Sequence, residues 1–133
     1  MLKGVLHPDD AHRAPDHGAS AVIVSNHGGR QMDGSIPPIL ALPDIVEAAD
    51  GRIEVYVDGG VRSGVDILRA LALGARAVLI GRPYLWALAI AGEAGVTELL
   101  ERFRTEFLNA MALAGQTDAQ RVDPSIVVKA SDY

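Results

Sequence analysis

Ala21-Val22-Ile23-Val24 runs directly into Ser25-Asn26-His27-Gly28-Gly29-Arg30-Gln31, and that junction decides the fold. A short, unbroken apolar run predicts a buried strand. The polar cluster then falls at the strand's C-terminal mouth, where α/β proteins place their chemistry. A titratable imidazole at His27, three residues from the fixed cation of Arg30, suits deprotonation of a small anionic substrate. The same seven residues equally describe a polar turn tightened by glycines. Alone they leave both readings open.

Outward from this junction, strand and helix signals alternate, the pattern of a parallel sheet with crossover helices. Met1 to Leu6 holds a short apolar segment with Lys3 inside it. His7-Pro8-Asp9-Asp10 opens a helix, with proline tolerated in the first turn and acids favoured near the positive end of the dipole. Pro15 interrupts that helix early. Pro38 to Ala49 is a helical pattern punctuated by Pro43, and Ile53 to Val57 is the next strand. Val65 to Leu73 predicts a helix closed by Gly74, then Ala77 to Ile80 a last strand. Two helical stretches, about Tyr84 to Ala91 and Val96 to Ala114, precede a polar tail from Gly115. Four strand ends with their helices predict an α/β fold, half of an eight-stranded TIM (β/α)8 barrel. A parallel half-barrel leaves two open sheet edges, which proteins cover, pair or blunt.

The 133 residues are the size of one domain. A content of 49% hydrophobic and 5% aromatic residues suggests aliphatic helix-on-sheet packing. The formal charge of −5 and pI near 5.2 argue against a nucleic-acid-binding surface. The chain has no cysteine, which excludes disulfides and thiolate metal sites, and no metal is expected. No apolar run approaches the roughly 20 residues of a membrane span, and Met1-Leu2-Lys3-Gly4 has no signal-peptide core, so a cytoplasmic location is the default.

Each strand end carries a distinct polar group: Lys3, then Ser25 to Arg30, then Asp58 to Arg62, then Gly81 and Arg82. In a barrel these open onto one face. Asp58-Gly59-Gly60-Val61-Arg62-Ser63-Gly64 is a glycine-rich strand-to-helix turn, whose amides and following helix N-terminus can cradle a phosphate. Gly81-Arg82, one unit later, adds backbone N–H groups and a permanent guanidinium charge. The interval from Lys3 to His27 and that from Asp58 to Arg82 are both 24 positions, as consecutive strand ends on one face require. Structural alternatives remain at individual positions: Lys3 as a solvated lysine, Asp58 as a turn cap. His7, His12 and His17 read as surface residues. Trp86 and Tyr84 read as packing for the last helix, and Glu98–Arg102 as an i, i+4 pair.

Together, Lys3-Gly4, Ser25 to Gln31, Asp58 to Gly64, Ala70-Leu71-Ala72-Leu73-Gly74-Ala75 and Gly81-Arg82-Pro83 resemble the FMN-dependent α-hydroxy acid oxidase and dehydrogenase family, from Lys3 to about Gly115. The Ser-Asn-His-Gly-Gly-Arg-Gln string is specific, whereas the Asp-Gly-Gly-Val-Arg turn is similar to turns in other phosphate-binding barrels. The resemblance implies FMN as cofactor and a small 2-hydroxy acid as substrate. It implies that His27 is the catalytic base, also touching substrate, and that Arg30 holds the substrate carboxylate. Lys3 would lie beside the flavin N1 and C2 carbonyl, and Ser25 would contact the ring. Asp58, Gly59, Gly60, Val61 and Arg62 would bind the ribityl chain and phosphate, with Gly81 and Arg82 completing the phosphate site. Electrons would pass from the substrate α-carbon to flavin N5.

The resemblance also implies that residues 1–133 are one domain piece, the C-terminal half of the barrel, with the N-terminal half absent. That half would carry a further flavin cradle, a substrate-facing tyrosine and a second arginine. The expectation is therefore a fragment with little activity alone, pairing with a missing half or with another copy. The alternative is a non-catalytic FMN- or phosphate-binding half-barrel that self-associates. A third possibility, a relative of inosine monophosphate dehydrogenase or type 2 isopentenyl diphosphate isomerase, is opposed by the Ser25 to Gln31 string and by the lack of cysteine.

Overall fold

Four parallel strands lie side by side in chain order: β1 (Leu2–Val5), β2 (Ala21–Val24), β3 (Glu54–Asp58) and β4 (Ala77–Leu79). The computed structural model describes residues 1–128, so the last five positions of the 1–133 domain lie outside the described residues. Helices α1 (Pro8–Arg13), α2 (Pro38–Ala49) and α3 (Gly64–Ala72) cross between successive strands, and α4 (Arg82–Leu113) follows β4. A doubly wound sheet would reverse its strand order at some point; this one never does, which is the progression of a closed barrel.

The register explains which face is which. Val22 pairs with Val55 and Val24 with Val57, and these four valines pack under α2 with Ala41, Leu42, Ile45 and Ala49. Because side chains alternate along a strand, Ile23, Tyr56 and Asp58 project from the opposite face, the one that would line a barrel interior. Lys3 is level with Ile23 there. At Gly4 the β1–β2 register slips, with Lys3 opposite Ile23 but Val5 opposite Val24.

Local chemistry sets the helix ends. The His7 imidazole accepts from the Asp9 amide at 3.2 Å and caps α1, a role its surface position did not suggest. Pro15 ends regular α-helix there, and a 3-10 turn over Ala14–His17 takes over until Gly18 in the left-handed region. Pro43 does not break α2, since buried Leu42 and Ile45 flank it and hold that face on the sheet. Ser63 and Asp66 form a reciprocal capping box at the start of α3. The two last helical stretches expected from sequence meet as one run broken at Ala91–Gly92, where Gly92 has φ 57 and ψ −140.

Two expectations are corrected. Tyr84 and Trp86 do not pack a core: they are 37% and 55% exposed, and Trp86 lies on the wall of the cleft at the strand ends. Glu98 is not the partner of Arg102. That guanidinium turns the other way, to Glu106 at 3.1 Å, and Glu106 also accepts from the Gly64 amide at 2.9 Å. Gly64 is where α3 meets α4: a Cβ there would lie 2.0 Å from the Phe107 nitrogen.

Candidate active site

The C-terminal strand ends converge on a cleft of about 590 Å³. Lys3, His27, Arg30, Asp58, Gly59, Gly60, Val61, Arg62, Gly81 and Arg82 all line it. Of the sequence-predicted site residues, only Ser25 is not on that wall; it lies fully buried just behind. Four segments distant in sequence thus deliver their polar ends to one place, as the sheet topology requires.

Ser25 is the hub that joins three of them. Its Oγ accepts from the Lys3 ammonium at 2.9 Å and from the His27 backbone N–H at 3.1 Å. The same ammonium reaches Asp58 Oδ2 at 2.8 Å. A chain of contacts therefore runs Asp58–Lys3–Ser25–His27 and ties β3, β1 and the turn after β2 together. An ammonium has three donors, so one remains for a ligand. The pair is only partly shielded, with the Lys3 side chain 41% and that of Asp58 17% exposed, so its main effect is orientation rather than stability. Asp58 Oδ1 is buried without a hydrogen-bond partner among the described residues. A buried carboxylate oxygen in that state calls for a donor, and in a cleft wall a ligand can supply it.

His27 is exposed and its backbone sits at φ 55, an unusual value for a residue with a side chain. Gly28 and Gly29 follow at φ 71 and 73, so three successive left-handed residues make the tight turn. The turn presents the imidazole and the Arg30 guanidinium to the cleft rather than burying either.

The phosphate expectation is refined at one point. The amides at the start of α3 are already engaged: Arg62 and Ser63 donate to Asp66 Oδ2 at 3.0 and 3.1 Å, and Gly64 donates to Glu106. That helix N-terminus offers an anion little, because the carboxylates of Asp66 and of Glu106 from α4 occupy it. The start of α4 differs, with no side-chain cap at Gly81 among the described residues. Arg82 reaches back from it to donate to the Gly28 carbonyl at 3.3 Å, bridging the last strand end to the His27 turn. Hydrogen bonding and charge from Arg52 hold Asp16 below the usual carboxylate range, and a hydrogen bond to Glu54 raises the Tyr56 phenol.

Comparison with known proteins agrees with this geometry. Over 127 residues the chain is 54% identical to L-lactate oxidase of Nostoc sp., covering 96% of this chain and 35% of that one. It is 52% identical over 129 residues to human 2-hydroxyacid oxidase 1, covering 97% of this chain and 35% of the other. A crystal structure of mandelate oxidase superposes with a TM-score of 0.89 at 53% identity, covering 92% of this chain and 36% of its own. The chain thus spans about a third of the relatives it matches, and its four strands are part of a TIM barrel. The family described as FMN-dependent dehydrogenase matches residues 1–129, and the chain belongs to that family.

Proposed function

We propose that this chain carries the base and the phosphate-binding side of an FMN-dependent oxidoreductase that converts a small 2-hydroxy acid to the 2-oxo acid. One observation carries the reading: the Asp58–Lys3–Ser25–His27 chain of contacts shares a single cleft with Arg30, Arg62 and Arg82. The names of the relatives (lactate oxidase, 2-hydroxyacid oxidase, 4-hydroxymandelate oxidase, lactate dehydrogenase) have the 2-hydroxy carboxylate in common.

FMN suits the donors and acceptors present. The unpartnered Asp58 Oδ1 needs a hydroxyl donor, which a ribityl chain provides. A phosphate suits Arg62, Arg82 and the uncapped first turn of α4. Gly59, Gly60, Val61 and Gly81 bring bare backbone to the same wall. The spare donor of Lys3, steadied by Ser25, would hold the polar edge of the ring. When bound, FMN supplies the acceptor for two electrons.

The chain's own residues do the rest. Arg30 pairs with the substrate carboxylate and so fixes the α-carbon relative to His27. The neutral His27 imidazole takes the hydroxyl proton as the α-hydrogen leaves carbon with its electron pair, and the C–O bond becomes a carbonyl. The resulting imidazolium would later release that proton to solvent, to which His27 is open.

Because the chain spans about a third of its relatives, we further propose that turnover is low in isolation. The remaining strands of the barrel would cover the edges at β1 and β4. The exposed apolar side chains of Leu85, Trp86 and Ile90 favour such a cover. They also favour the second reading, a non-catalytic FMN- or phosphate-binding half-barrel that pairs with another copy.

Titrating FMN into the purified chain tests the phosphate site directly. Flavin fluorescence should change saturably, and Arg82→Gln should weaken binding roughly 10- to 100-fold, the worth of one charge-assisted hydrogen bond. Riboflavin, which lacks the phosphate, should bind more weakly than FMN to the native chain. Equal affinity for the two would remove the phosphate site from the account.

A further inference from the structure

The base has a floor, and that floor is Gly4. The β1–β2 register slip leaves Gly4 as an extra residue between Lys3 and Val5, at φ +98. The His27 ring lies directly against it. A Cβ at position 4 would be 2.6 Å from His27 Nε2, 3.3 Å from Cε1 and 3.7 Å from Cδ2. The nearest ring atom is thus Nε2. A side chain there would have to push the ring aside, since 2.6 Å is far inside van der Waals contact.

We propose that Gly4 is a positioning residue for His27: the glycine bulge in β1 is the platform on which the imidazole rests, and it fixes the place of Nε2 in the cleft. The two ends of His27 are then held separately. Its backbone N–H is fixed by Ser25 Oγ, and its ring by the flat face of Gly4. The left-handed backbone at His27 aims the side chain back over β1 instead of away from the sheet. The bulge therefore serves two neighbours. Lys3, before it, points to Ser25 and Asp58, while Gly4 itself makes room for the ring.

A methyl group at position 4 meets the movable end of a side chain, so the ring gives way before the sheet does. The consequence belongs to the geometry of proton transfer, where about 1 Å of misplacement can cost roughly 100-fold in rate. The inference rests on the reading of His27 as the base for its effect on catalysis, but not for the contact itself.

Nuclear magnetic resonance of the native chain tests the contact. The His27 ring protons, assigned by their loss in His27→Ala, should show an Overhauser effect to the Gly4 α-protons. In Gly4→Ala the His27 ring signals should move, while those of His7 and His12 stay in place. With FMN bound and the remaining barrel strands supplied, Gly4→Ala should slow flavin reduction by a 2-hydroxy acid roughly 100-fold with FMN affinity unchanged. Absence of the native Overhauser effect overturns the proposal, even if Gly4→Ala does not fold. Ring signals unmoved in a folded Gly4→Ala also overturn it, as does an unslowed reduction. Undiminished reduction in His27→Ala is a different failure: it would remove the base role and leave the ring contact standing.

Discussion

His27→Ala should cut the rate of flavin reduction by a 2-hydroxy acid roughly 10²- to 10⁴-fold, the range for loss of a general base, while FMN affinity holds. The two effects separate because they reside on different elements. The imidazole sits on the turn after β2, whereas the groups assigned to FMN lie at the ends of β1, β3 and β4 and at buried Ser25. Alanine retains the backbone N–H that donates to Ser25 Oγ, so the Asp58–Lys3–Ser25 contacts survive. Alanine at φ 55 carries some strain of its own. His27→Asn is the companion variant, since asparagine tolerates that backbone and lacks a comparable base. Both should show the same kinetic loss in anaerobic stopped-flow absorbance. Native-like reduction in both would take the proton-transfer role away from His27.

Leu42→Ala should lower the stability of the chain by about 2–5 kcal/mol, the usual cost of emptying a fully buried leucine site. Leu42 has no exposed surface and belongs to the cluster that joins α2 to the valines of β2 and β3. Helix α2 also packs against α1. Among the described residues nothing caps its start through a side chain, and Pro43 removes one of its own hydrogen bonds. Its place depends on the side chains it buries. Denaturant unfolding followed by circular dichroism gives the number. A loss below about 1 kcal/mol would mean that the α2–sheet core is not the one described, since a cavity at a rigid site costs more.

The strand ends were the legible part of the site. Each apolar run stops at a polar or glycine-rich string, and parallel topology leaves one place for those strings to meet. What stayed hidden depends on contacts across the sheet. Gly4 reads locally as a weak point in a short strand; only the register slip and the approach of a ring from 23 positions away reveal its use. The engagement of the α3 amides is half visible, since Ser63 and Asp66 have capping-box spacing, but Glu106 arrives from a distant helix. Arg102 had two acids within helical reach, Glu98 and Glu106, and spacing alone does not choose between them. Trp86 misleads for a different reason. A large aromatic after a proline suggests core, yet this one belongs to a face that the described residues leave open.

The proposed function joins FMN binding at the strand ends to deprotonation of a 2-hydroxy acid by His27. Its most direct test is the visible spectrum of the FMN-loaded chain, alone and mixed with a polypeptide supplying the remaining barrel strands, as L-lactate, glycolate or mandelate is added without oxygen. The expected result is a bound flavin whose oxidised absorbance bleaches with at least one of these acids in the mixture, slowly or not at all in the chain alone, and roughly 10²- to 10⁴-fold more slowly in the His27→Ala mixture. A chain that takes up no FMN in either state, or a mixture that bleaches equally fast without His27, would contradict it.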